Sequence, residues 1–181
     1  MNDRNQEAAL GEIAADRRLA AVYRYWCKLC GENDVPALDQ LDPVNLPAAV
    51  LPYLTLLDML DGGHSFRVRL VGTGTSVAVG RNATGDHLDS TVTGDISAAA
   101  LRRYRTVLEA GRPVLDVVHY KVPDEASFTN RLLTLLFSTK RDAIDRLLGV
   151  YSPTSLRLAK QTLRDLTSPA YVEALRSTVI L

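Results

Sequence analysis

Long apolar runs, net charge and cysteine are scarce in this 181-residue chain, and each shortage closes off a class of function. The most apolar window, 46–60, is broken by Pro47, Pro52 and Asp58 and is too short to span a bilayer. The opening residues MNDRNQEAALGE are polar and lack the apolar core of a secretory signal, so a cytoplasmic protein is expected. Lys and Arg number 21 against 21 Asp and Glu, a formal charge of zero, which leaves no net field to attract nucleic acid. The arginine pairs Arg17–Arg18 and Arg102–Arg103 sit inside helical patterns rather than in a basic block.

The only cysteines are Cys27 and Cys30, in YWCKLCGE. C-x-x-C is the spacing of a thiol redox centre, which needs its first cysteine at a helix N-terminus, where the dipole stabilises the thiolate. Here Val22, Tyr25, Trp26 and Leu29 recur at helical spacing and Gly31 ends the pattern. That places the pair at the opposite end, where the dipole disfavours a thiolate. A zinc site would need two more ligands, and His64, His87 and His119 are scattered singly. No metal and no cofactor is expected.

What is present reads as one globular chain with 46% hydrophobic residues. Residues 5–30 read as one helix, followed by a proline-punctuated loop in which Asp42-Pro43 starts a short helix over 43–50. Segments 53–60 and 66–72 flank the turn DGGHS as a hairpin. In the second, Phe66, Val68 and Leu70 alternate with Arg67 and Arg69, giving one buried and one wet face. A helix with Asp95 as N-cap runs to Ala110 and ends at Gly111 and Pro113. Strand patterns follow at 114–122, 130–138 and 144–152, then two short tail helices, near 154–166 and from Ser168-Pro169.

The glycine-rich stretch GTGTSVAVGRNATG is the most motif-like part of the chain. A dinucleotide fingerprint would need glycine where Val77 stands, and a Walker loop would need a lysine that this stretch lacks. GTSVA is close to a hydrolase elbow with Ser76 as nucleophile, but that serine belongs on a large parallel sheet that a hairpin does not supply. Gly72 and Gly74 read as glycines required by a tight strand exit and close backbone approach.

Several short patterns together resemble the alphaproteobacterial single-domain PAS family known as PAS_5. They are Tyr25-Trp26, Pro36, Asp42-Pro43, Arg69-Leu70 followed by Gly72-Thr73, and Gly80 with Thr84-Gly85 and Leu88, within residues 18–153. The cysteine pair departs from the basic residue more usual before the glycine. The resemblance implies an α+β fold: a PAS-like five-stranded antiparallel sheet with flanking helices, plus N-terminal and C-terminal helical extensions. The divisions expected are a helix and linker over 1–50, the PAS-like domain over 51–153 and a helical tail over 154–181. GRNA also resembles the GRNC of flavin-binding LOV photoreceptors, but Ala83 stands where the flavin-bonding cysteine would be, which excludes a light-driven adduct there. Haem finds little support in His119, which lies on a strand pattern rather than on the long helix.

The function implied is a non-catalytic sensory module with a small-molecule ligand, acting in signal transduction by contact with a protein partner. No kinase, cyclase or DNA-binding output domain fits in the remainder of the chain. Tyr104 on the long helix and His119 on the third strand are the candidate polar ligand-binding residues. A homodimer is expected through the N-terminal helix, where Leu10, Ile13 and Ala14 extend the apolar stripe. The alternative is a small enzyme, either a serine hydrolase using Ser76 or a thiol oxidoreductase using Cys27 and Cys30.

Overall fold

The computed structural model describes residues 10–79, 81–88, 95–121, 128–140, 143–154 and 173–181. Strands β1 (Leu54–Leu60), β2 (Ser65–Val71), β3 (Val114–Lys121), β4 (Phe128–Phe137), β5 (Arg146–Pro153) and β6 (Glu173–Ile180) form one sheet in the order β2-β1-β5-β4-β3-β6. Every pairing is antiparallel. The first five fall within two residues of the segments read from the alternation of apolar and polar side chains. Helices α1 (Arg17–Cys30), α2 (Thr73–Val79) and α3 (Asp95–Ala110) accompany them, giving the α+β architecture expected of the resemblance.

Three expectations need correction. The single helix over 5–30 is two pieces, because Asp16 is extended (φ −114°, ψ 103°) and caps α1, its carboxylate accepting from the Arg18 and Leu19 backbone N–H groups. A side chain that satisfies the first-turn donors starts a new helix there. The short helix over 43–50 is replaced by separate 3₁₀ turns at Leu38–Gln40, Pro43–Asn45 and Leu51–Tyr53. Asp42 does cap Pro43–Asn45, but proline at 47 and 52 lacks the N–H that propagation requires. In the tail, the helix expected near 154–166 lies almost wholly outside the described residues. The segment from Glu173 is strand rather than helix: a run ending Ser177-Thr178-Val179-Ile180, rich in β-prone residues, covers the otherwise open edge of β3.

Two hydrophobic layers pack on the two faces of the sheet. On the outer face, Leu19, Val22, Trp26 and Cys30 of α1 meet Leu115, Val117, Leu133, Leu135, Phe137, Leu148 and Val150. On the inner face, Val107 and Tyr104 of α3 meet Leu57, Phe66, Val68, Val114, Leu136 and Leu147. The period-two pleat explains the sorting, since odd and even positions of β4 feed different layers. The α1 part of the apolar stripe is covered by the chain's own sheet, whereas of the upstream residues that suggested a dimer Ile13 is buried, Ala14 is exposed and Leu10 is 44% exposed.

Candidate functional site

The inner face changes character along the strands. At one end, Leu57, Leu147 and Leu136 lie side by side and are fully buried. The next row on that face runs Val71, Thr55, Gly149, Thr134, Val114 across five strands. Beyond it lie Tyr151, Leu132 and Asp116, and then Asn130 beside Val118. The face therefore grades from an apolar floor to a strip of hydroxyl and amide groups, with a glycine at the join. A Cβ on Gly149 would stand 3.6 Å from Leu132 Cδ1 and 3.7 Å from the Thr55 carbonyl, ordinary contact distances. This glycine therefore relieves no clash, and an added Cβ would rest in contact between Leu132 and Thr55.

Two groups in this strip mark it as a site. Thr134 is wholly buried and Asn130 is 8% exposed, yet Thr134 Oγ1 and Asn130 Oδ1 have no hydrogen-bond partner among the described residues. Thr75 Oγ1 on α2 is in the same position. Each such buried group costs about 1–3 kcal/mol when left unpaired, so each is a point on this face where a ligand gains a hydrogen bond without displacing an existing one.

Helix α3 closes the apolar end. The Tyr104 ring stacks at a tilt against Phe66, 5.3 Å between centroids, and its burial raises the phenol pKa, so it stays neutral. One residue earlier, Arg103 Nε donates to Asp116 Oδ2 at 2.6 Å, tying helix to sheet with both groups largely buried. That carboxylate neutralises the arginine, so this cation is not free to recruit an anion. Ala83 of the GRNA stretch is buried in the same inner layer as Tyr104.

The two candidate ligand residues are not brought together. Tyr104 packs in the inner layer, whereas His119 shares its strand parity with Leu115 and Val117, which belong to the outer layer. His119 is exposed, and its Nδ1 lies 2.9 Å from the hydroxyl of its cross-strand neighbour Thr129. The residues that sequence reasoning missed, Thr134 and Asn130, sit in the apolar-rich run NRLLTLLFS. Polar side chains at alternate positions of a buried strand were the available signal.

The enzyme candidates fare differently in geometry. Ser76 lies in the short helix α2, where its N–H bonds to the Gly72 carbonyl, and it follows an antiparallel edge strand rather than an interior parallel one. Gly72 and Gly74 are there for close approach: a Cβ would strike the Pro52 carbonyl at the first and the Tyr53 ring at the second. Cys27 is exposed and Cys30 buried, both as free thiols, and burial, then Cys27 and Asp34, push the Cys30 pKa up to about 11. Among the described residues no group of three His, Cys, Asp or Glu could hold a metal, and no helix is long and apolar enough to cross a membrane.

A separate open cleft of ≈ 750 Å³ lies between the loop after α1 and the β4–β5 turn, with Glu32, Asp34, Asp39, Ser138 and Ile144 in its walls. It exists because the loop pairs with the end of β4, Leu38 N–H donating to the Ser138 carbonyl at 2.8 Å. Its polar lining faces solvent, so it lacks the unpaired buried groups of the inner face.

A family model described as PAS domain matches residues 15–152. Among solved structures, a light-oxygen-voltage domain studied with a flavin analogue is 19% identical, with 63% of this chain and 85% of that one covered at a TM-score of 0.40. A LOV protein of Rhodobacter sphaeroides is 26% identical over 59% of this chain and 64% of its own, TM-score 0.39. The light-state LOV domain of the blue-light photoreceptor Aureochrome1 is 15% identical over 66% and 94%, TM-score 0.41. Among curated proteins none matches.

Proposed function

Because the chain belongs to the PAS domain family, whose model spans residues 15–152, we propose that it is a non-catalytic sensory module holding a small ligand on the inner face of its sheet. The observation that carries this reading is the buried Thr134 Oγ1, unpartnered among the described residues beside Gly149 and an apolar floor, with Asn130 Oδ1 likewise unpartnered four residues along the same face of β4. The ligand class that fits is small, neutral and mostly apolar, with one or two hydrogen-bonding groups, because the buried arginine nearby is already neutralised by Asp116. Tyr104 lines the apolar end in this reading. The signal then leaves by protein contact, and the chain acts in the cytoplasm as a PAS protein of the alphaproteobacterial type, with the domain proper over 51–153 between an N-terminal segment and a tail.

Native mass spectrometry of the purified protein tests this directly. A retained small molecule that is lost in Thr134→Val and Asn130→Leu, with circular dichroism unchanged, supports the site; a ligand unaffected by both changes removes it. The same spectrum reports the oligomeric state and so decides the homodimer expected through the N-terminal helix, where Leu10 and Ala14 are exposed. A fluorophosphonate probe on Ser76 and thiol turnover at Cys27 and Cys30 are expected to give no activity, and turnover lost in Ser76→Ala or Cys27→Ser would overturn the non-catalytic reading.

A further inference from the structure

We propose that the outer face of β1 and β2 is a docking surface for an acidic segment of a partner protein, one that carries apolar residues between its carboxylates. The inference rests on the reading that the signal leaves by protein contact. It begins with a register shift. Leu57 pairs with Val68 but Leu56 pairs with Leu70, so Arg69 is an extra residue bulged out of β2. Phe66 and Val68 point into the inner layer; beyond the bulge Leu70 stands opposite Leu56, which packs with the outer layer. The bulge therefore sets Arg67, Arg69 and Leu70 together on the outer side, where a regular strand would have turned one of the last two inward.

The charges on this face do not balance. Asp58 is 2% exposed and meets three guanidinium groups: Arg67 Nη2 at 2.6 Å, Arg146 Nε at 2.9 Å and Arg69 Nη1 at 3.6 Å. Arg67 donates twice to Asp58 Oδ2, Arg146 and Arg69 approach Oδ1 as ion-pair neighbours without a hydrogen bond to it, and Arg69 makes no hydrogen bond among the described residues. The neighbouring carboxylates are committed as well. Asp145 accepts from Thr139 and flanks Arg146, and Asp86 holds Arg81. Arg67 and Arg69 remain 49% and 52% exposed, beside Leu70 at 48%.

Surplus guanidinium charge next to an exposed leucine selects for carboxylate plus apolar side chain. The planar fork of arginine matches a carboxylate in two parallel hydrogen bonds, and the leucine offers the apolar anchor that such contacts use. A basic segment would meet repulsion here, and an uncharged one would leave the guanidinium charge in excess of Asp58 uncompensated. Addition of the partner as a further strand is blocked, because residues 85–87 already lie along β2: Gly85 N–H donates to the Val68 carbonyl at 2.7 Å and Val68 N–H to the Asp86 carbonyl at 2.8 Å. The partner therefore lies on the face.

The test uses fluorescence anisotropy of the full chain with a labelled eight-residue peptide alternating Glu and Leu, against its Lys–Leu counterpart. Binding of the Glu–Leu peptide is expected, weakening with added salt and about tenfold in Arg69→Gln, with a loss of similar size in Leu70→Ser. Both sites are half-exposed, and thermal melts of the variants confirm that they fold. Equal binding of the Lys–Leu peptide, or undiminished binding by both variants, overturns the proposal. So does binding to vesicles of phosphatidylserine and phosphatidylcholine, or to inorganic phosphate, with no binding of the Glu–Leu peptide. Ligand retention is read separately by native mass spectrometry, so loss of docking with ligand retained leaves the sensory reading standing.

Discussion

The indole nitrogen of Trp26 donates to the backbone carbonyl of Leu136 at 2.9 Å, across 110 residues of sequence. The pairing of β3 with β4 begins at Val114 and Thr134, so the Leu136 carbonyl lies past the last β3 partner. Ser138, of the same parity, bonds on that side to residues 36–38. Trp26 fills the gap between, which gives this aromatic a polar duty in addition to its packing.

Trp26→Phe should keep most of the packing and lose only that bond. A buried carbonyl left unpaired costs about 1–3 kcal/mol, so urea unfolding should shift by that amount with an unchanged m-value. A shift no larger than that of an exposed control such as Val44, 88% exposed, mutated to Ala would show that the bond contributes nothing.

Asp16 links α1 to the sheet. Its carboxylate caps the helix, pairs with Arg18 at 3.4 Å and accepts from the Ser152 hydroxyl on β5. Burial works to raise its pKa, but the bonds from Ser152, Arg18 and Leu19 outweigh it and hold the group below 3.8. A folded-state value below the unfolded one contributes stability above the ordinary carboxyl pKa, and that contribution is lost as pH falls through the lowered value. Asp16→Asn, a side chain that still caps, should flatten the acid limb below about pH 4. Asp16→Ala should cost about 1–2 kcal/mol at neutral pH. Acid melts identical for wild type and Asp16→Asn would refute the linkage.

These contacts show what the sequence could and could not disclose. Five strands, α3 and the apolar stripe Val22–Leu29 were legible because each is a local period. The break at Asp16 was readable as an N-cap in principle, but the apolar spacing from Leu10 to Leu29 ran across it and was followed instead. Strand β6 was not legible, since only the open edge of β3 makes Glu173–Ile180 a strand. Tyr104, read from its place on the long helix, is buried in the inner layer. Thr134 and Asn130 were hidden, because their importance lies in partners they lack, and the pairing of His119 with Tyr104 failed on the parity of one strand.

The thiols give a chemical check on the position of α1. Cys30 is 8% exposed with a pKa of about 11, so roughly one molecule in a thousand carries its thiolate at pH 8. Iodoacetamide at that pH should label exposed Cys27 and leave Cys30 largely unmodified until urea is added. Equal labelling of both in the native protein would mean that the C-terminal end of α1 is not seated on the sheet.

Gly149 offers the sharpest test of the inner face. It stands between Thr55 and Thr134, and an added Cβ meets only ordinary contacts. Gly149→Ala should therefore fold with a change within about 1 kcal/mol, β-strand propensity partly offsetting the lost space. Gly149→Leu projects three further carbons over Thr134, where the ligand is placed, and should abolish ligand retention in native mass spectra while the alanine variant keeps it. Overpacking would appear as a drop of about 1–3 kcal/mol in unfolding, so both variants are compared at a temperature where circular dichroism shows each fully folded. A ligand retained undiminished in folded Gly149→Leu would place the site elsewhere, and the open cleft beside Asp34 and Ser138 would be the next to probe.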